Sequence, residues 1–298
     1  MSDGALDYPL GRPIAPSITV RRRRPLPAGA TPRVQTGESV SALQPIAEVA
    51  TPQGRAPVLA GIDGHVIAVT PGKGIFLEGV ATLLQGLVGL GESAAGPLAF
   101  LPPGESPAVA LIPRGSILVY PQRAPLTLLQ RAVAHGAAGI IAASASALEL
   151  EAFARADISA ILEWRIPLPT PGPLVVMLTE GLGDAAMQMD MLSVLRRHEG
   201  EMALINGISH PRQNVRPEAL ISRHDTAMGE YVPPPVLLRT GAIVRVVAGA
   251  RRGARGIIRH IPAHAAVDAT GLRTRCAALE LDTGERVSLP LHLLDIIG

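Results

Sequence analysis

The chain has 298 residues, 47% of them hydrophobic, with 27 basic against 25 acidic side chains and a formal charge of +2. A single cysteine, Cys276, excludes an internal disulfide framework and any multi-cysteine zinc or iron–sulfur site within one chain. Three Phe, one Trp and three Tyr leave the core to Ala, Val, Ile and Leu, with few stacking platforms for single-stranded nucleic acid.

Two or three domains fit this length, since single cores stop growing at about 250 to 300 residues. Charge is segregated along the chain. Residues 1–33 carry six Arg against two Asp, and residues 236–298 carry nine Arg against five acids, so each end is +4 and the stretch between is −6. Polyanion binding is therefore expected at the ends. Lys73 is the one lysine, an imbalance that fits Arg-favouring codon usage and is no argument for RNA binding.

The first ten residues lack a basic start followed by an apolar run, and the arginines at 21–24 lead into Pro25, Pro27 and Gly29 rather than a signal core. Residues 79–100, the most apolar stretch, hold five glycines and Glu92 and fall short of the ~18 apolar residues of a spanning helix. A reducing cytoplasm without membrane insertion is the expected setting.

In chain order, residues 1–20 are Pro-rich and aperiodic and predict a flexible tail. Residues 21–114 predict a β domain with a Gly-rich extension. Its strands fall at 32–34, 38–40, 45–49, 56–59 and 65–69, each bounded by Gly or Pro. The order Val34-Gln35-Thr36-Gly37-Glu38-Ser39-Val40, then Pro45-Ile46-Ala47, then Ala60-Gly61-Ile62-Asp63-Gly64-His65-Val66 resembles barrel-sandwich hybrid domains, nearest in arrangement to those of Rnf- and Nqr-type electron-transport subunits. Biotinyl and lipoyl carriers are more distant. Lys73 in Pro71-Gly72-Lys73-Gly74 lacks the Met-Lys-Met or Asp-Lys setting of a carrier lysine and follows the Gly64 turn, so it is expected to be unmodified.

Residues 115–206 alternate strand and helix: a strand at 116–120, a helix at 125–135 with Leu126, Leu129 and Val133 on one face, and a strand at 138–143. Ser146 and Glu149 have capping-box spacing for a helix to about Arg155. A strand at 174–178, a helix from Asp184 to the stop at Gly200, and a strand at 202–205 complete an open, mostly parallel α/β sheet. Residues 207–235 contain His210-Pro211, Arg216-Pro217 and Pro233-Pro234-Pro235 and predict an extended surface connector.

Residues 236–298 follow with Gly241-Ala242-Ile243-Val244-Arg245-Val246, turn glycines at 249, 253 and 256, and Ile257-Ile258. This matches at each position the pattern G-x-x-V-x-V-x-x-G-x-x-x-G-x-x-G-x-I of KOW modules, so the segment resembles the SH3-like barrels of NusG-type transcription factors and ribosomal proteins. The resemblance implies binding to RNA or protein. An α/β region followed by such an end also resembles a bacterial KOW-containing family, which implies no activity. The expected class is thus multi-domain α/β plus all-β: an N-terminal barrel-sandwich-like β domain, a central open α/β sheet and a C-terminal SH3-like β-barrel.

Motifs for nucleophile elbows, P-loops, dinucleotide binding and H-E-x-x-H zinc sites are missing from the sequence. His260 and His264 straddle Pro262, so no metal or cofactor is expected there. Two constellations remain. Arg251, Arg252, Arg255 and Arg259 crowd one loop and its flanking strand, where each could meet a phosphate. In an open α/β sheet ligands collect beyond the carboxyl ends of the strands, which groups Gln122, Arg123, Ser144, Ser146, Thr179, Glu180, Gly181, Gly183, Asp184, Asn206, Ser209, His210 and Arg212. Gly181 and Gly183 would let backbone N–H groups approach an anion, while Glu180 and Asp184 would repel it. The first reading is a non-enzymatic interaction protein whose KOW barrel contacts RNA, a ribonucleoprotein or a protein partner. The alternative is an α/β enzyme or small-molecule sensor with its site at those strand ends.

Overall fold

The structure, a computed structural model, describes residues 14–51, 54–70, 72–101, 106–162, 174–210, 215–224, 227, 229–230, 238–268 and 273–297. It is β-rich, with a large mixed sheet and few helices.

Two twelve-residue strands, β1 (Ile14–Pro25) and β7 (Gly74–Gln85), run antiparallel. Between them lie β2 (Thr31–Pro32), β3 (Ser39–Val40), β4 (Pro45–Thr51), β5 (Gly54–Leu59) and β6 (Gly64–Thr70), on or beside the expected strand positions. Strands β2, β4 and β5 form a small sheet, while β3 and β6 join the sheet of β7 and β1. Ile18, Val20, Ile46, Ile62, Val66, Ile75 and Leu77 fill the space between. At the β6–β7 crossing the chains nearly touch: a Cβ on Gly64 would lie 2.0 Å from the Glu78 carbonyl oxygen, so only glycine fits. Residues 14–20, expected to belong to a loose tail, are part of β1; residues 1–13 lie outside the described set.

After β7 the chain passes a bend at Leu87 into β8 (Val88–Leu90) and then β9 (Ala94–Phe100). Next come β10 (Ile117–Arg123), α1 (Leu126–Ala134), β11 (Gly139–Ala145), α2 (Ala147–Ala154), α3 (Ile158–Leu162), β12 (Val175–Leu182), α4 (Met189–Arg197), β13 (Met202–Asn206) and β14 (Glu218–Ser222). Strands β9 to β12 are parallel neighbours in sequence order. The sheet thus runs across residue 114, because β9, assigned from sequence to the Gly-rich extension, pairs with β10. Strand β13 pairs antiparallel with β9 and β14, and β14 pairs with β7.

Strand β8 pairs with β12, so the path returns to its start: Gly86 N–H donates to the Pro217 carbonyl and Leu87 N–H to that of Leu178. Alternate residues face two cores. Leu118, Ile140, Ala142, Val176 and Leu178 pack under α1, α2 and α3, while Ile117, Val119, Ile141, Ala143 and Met177 meet Met187, Met191 and Leu195 at α4.

Three local expectations change. Helix α4 starts at Met189 with Gln188, in extended conformation, as N-cap residue, not at Asp184, because residues 183–188 bend and run irregularly across the strand ends. Ser146 is the N-cap residue of α2, but Glu149 turns away from it, accepting from Leu126 N–H at 3.4 Å and meeting Arg123 at 3.5 Å. The segment expected to be a surface connector contains β14, whose Glu218, Ala219, Leu220 and Ile221 are buried, and β15 (Gly229–Glu230), parallel to β1.

The last part is an antiparallel five-stranded sheet in the order β21 (Arg286–Pro290), β20 (Cys276–Leu281), β17 (Arg255–His260), β16 (Ile243–Val246), β22 (Leu294–Ile296), beside a small hairpin of β18 (Ala266–Val267) and β19 (Arg273–Thr274). It has its own core of Val244, Val246, Ile258, Leu279, Leu281, Leu291 and Leu294. Val247 and Ala248 leave this core and pack into the helix-covered one. Arg216 donates to the Leu294 carbonyl at 2.9 Å and lies 3.7 Å from Asp295, fastening the unit to the body.

Candidate functional site

The carboxyl ends of β10, β11 and β12 do come together, but the chain itself lies across them. Gly183 N–H donates to the Ala145 carbonyl at 2.9 Å, and Met187 N–H to that of Pro121 at 2.9 Å. Between them Ser144, fully buried, donates its hydroxyl to the Ala185 carbonyl at 2.9 Å and accepts from Ala185 N–H at 3.0 Å. Residues 183–188 therefore occupy the crevice expected for a ligand.

The remaining members serve the same closure. Glu180 is buried, accepts from Thr179 Oγ1 at 3.1 Å and from Gln188 Nε2 at 3.2 Å, and so anchors the start of α4. Gly181 is paired within the sheet opposite Ser144, and Gly183 spends its N–H on Ala145, so neither is available to an anion. Asn206 Oδ1 accepts from Ile208 N–H, and Ser209 Oγ accepts from Gly89 N–H, both at 2.9 Å. His210 is buried in a bridge with Val215. Gln122, Arg123 and Asp184 are exposed, and Arg212 lies outside the described residues.

The four arginines of the last unit divide into two pairs. Arg251, in the β16–β17 turn, donates to Glu285 at 2.6 Å, and Arg259 donates to both oxygens of Glu280 at 3.2 and 3.3 Å. These contacts hold the Glu285 and Glu280 carboxyls below their ordinary range and raise the Arg251 guanidinium. Arg252 and Arg255 are exposed and make no ion pair among the described residues. The register adds an arginine that sequence reasoning passed over: Arg286 lies directly across from Glu280, 3.8 Å away. The alternation Arg286-Val287-Ser288-Leu289 held the signal, since it sends 286 and 288 to the face away from the core. Arg259, Arg286, Ser288, Ala278 and Glu280 line an open groove of about 730 Å³ on that face.

The arginines of β1 are placed differently. Arg22 meets Glu218 through two bonds of 2.5 and 2.9 Å, Arg21 meets Glu78, and Arg23 meets Glu92 at 2.9 Å. Arg24, buried, donates to the Leu59 carbonyl at 3.1 Å and to Ser93 Oγ at 2.8 Å. Burial brings its guanidinium down to about 10 and Glu92 opposes the shift, so it stays protonated. The N-terminal basic run, expected as a polyanion site, is consumed by internal partners.

No family model, no curated protein and no solved structure matches this chain. The geometry therefore stands alone. Among the described residues no group of three or more His, Cys, Asp or Glu could hold a metal, and no helix is long and apolar enough to cross a membrane. Lys73 is exposed in the β6–β7 turn, its N–H bonded to the Thr70 carbonyl. Cys276 is half-buried, and burial raises its thiol above the ordinary value, which disfavours the nucleophilic thiolate.

Proposed function

We propose that the protein is a non-enzymatic interaction protein of the cytoplasm, in which a barrel-sandwich-like β region and an α/β region carry a KOW-type SH3-like barrel that contacts RNA or a ribonucleoprotein. The observation that carries this reading is the exposure of Arg252 and Arg255 beside a turn whose other basic groups are already held by carboxylates. Free guanidinium groups on a rigid turn meet phosphate at little cost, since no internal ion pair has to break first. Support for the barrel comes from the strand order β21-β20-β17-β16-β22 with turn glycines at 249 and 253 in the left-handed region. The alternative of an α/β enzyme or sensor relies on strand ends that residues 183–188 cross.

The footprint is smaller than four arginines would give. The test is a salt titration of labelled single-stranded RNA on the full chain. Binding is expected at about 50 mM salt, and Arg252→Gln with Arg255→Gln should weaken it across sequences and flatten the log–log slope by about 1.5. Arg251→Gln and Arg259→Gln should each change it less. Absence of RNA binding by the intact protein at that salt overturns the reading.

A further inference from the structure

The edges of this molecule's sheets are finished differently from one another. The edge of β22 is closed by Arg216, which takes the Leu294 carbonyl. The Leu59 carbonyl of β5 is taken by Arg24 and the Gly89 N–H of β8 by Ser209. Strand β21 has no such cap among the described residues. Leu281 N–H bonds the Glu285 carbonyl at the start of the β20–β21 ladder, so by antiparallel alternation Val287 and Leu289 turn their main-chain groups toward β20. Arg286 and Ser288 then direct two N–H and two C=O groups away from the sheet. An edge of this kind is a template for another strand.

Charge selects the occupant. Arg286 is 85% exposed and, among the described residues, is held only by the 3.8 Å contact to Glu280, which Arg259 already engages more closely. Ala278 and Val287 give the adjoining groove an apolar floor between these charges. A nucleic acid has no ladder of alternating donors and acceptors to match the β21 main chain, whereas a peptide does. We propose that the edge of β21 takes up an extended acidic peptide segment as a sixth strand, with an Asp or Glu side chain beside Arg286. This contact does not depend on the RNA reading, which uses the turn at residues 249–254 and Arg255.

The experiment uses the full chain and a labelled short peptide of alternating valine and glutamate, its valine–lysine counterpart, and the acidic peptide N-methylated at alternate amides. The acidic probe should bind at about 50 mM salt and the basic one should not. N-methylation should weaken binding about tenfold or more, because the main-chain bonds are lost while the charges stay. Arg286→Glu, on an exposed position, should reverse the preference between acidic and basic probes. Equal binding of both probes, an N-methylated probe as good as the parent, or an unchanged preference in Arg286→Glu would each overturn the proposal. Displacement of the probe by RNA with no effect of N-methylation would assign the groove to the nucleic acid instead.

Discussion

The two arginine-rich stretches of this chain look alike on paper and live in opposite settings. Arg21 to Arg24 sit in a strand pressed against β7, where register sets Glu78 opposite Arg21, Glu218 and Glu92 reach Arg22 and Arg23 from elsewhere in the fold, and Arg24 is buried on a carbonyl and a hydroxyl. Arg251, Arg252 and Arg255 sit in and beside an exposed turn, and among the described residues a carboxylate, Glu285, meets just one of them. What separates a structural cation from a binding cation is therefore the number of acidic positions that the fold delivers to it. Clustering in sequence is silent on that number.

The largest test of this contrast is Arg22→Ala. It leaves Glu218 as a mostly buried carboxylate in the middle of the large sheet, and should lower unfolding stability by about 3 kcal/mol in urea titrations. Replacing both partners by Leu should recover most of that loss, since a paired charge contributes little beyond its own desolvation.

His292 extends the comparison to a basic group with no adequate partner. It is buried in the single turn before β22, its Nδ1 makes no hydrogen bond among the described residues, and burial lowers its imidazole to about 4; Asp268 opposes this and Arg216 adds to it. Because the folded value lies below the unfolded one near 6.5, stability is whole above pH 6.5 and falls as pH drops toward 4, by about 2 to 3 kcal/mol. Thermal unfolding across that range should show the loss, and His292→Gln should flatten it.

The smallest effect is expected at the exposed turn. Arg252→Gln and Arg255→Gln should each shift stability by no more than about 0.5 kcal/mol, with unchanged far-ultraviolet circular dichroism, while a double-mutant cycle on Arg251 and Glu285 should give a weak coupling that vanishes in high salt. A large loss at Arg252 or Arg255 would mean that these side chains are structural after all.

Most individual elements could be read from the residues, because alternation and Gly or Pro boundaries are local. Strands β4, β6, β10, β11 and β20 and helices α1 and α2 fall where periodicity and caps put them. What failed to show was anything fixed by distant partners. Strand β1 hides behind four arginines because their partners lie 35 to 196 residues away. Strand β14 reads as part of a connector because Pro217 and neighbouring polar residues mask a buried run of four residues. The start of α4 lies later than expected because Asp184 and two glycines mimic a cap, whereas Ser144 and Ala145 bond that stretch across the strand ends. The strand ends on which sequence groups a candidate pocket are crossed by residues 183–188, a contact that only the fold reveals.

The strand pair β7–β14 has a consequence for how this protein comes into being. Leu83 and Leu84 face Leu220 and Ala219 across a ladder whose two strands are separated by more than a hundred residues of chain. During synthesis the ring of strands cannot shut until residue 222 has left the ribosome, and until then the apolar edges of β7 and β13 wait open. A nascent chain stalled before β14 should recruit chaperones and be cut readily by protease, and one stalled after it should resist.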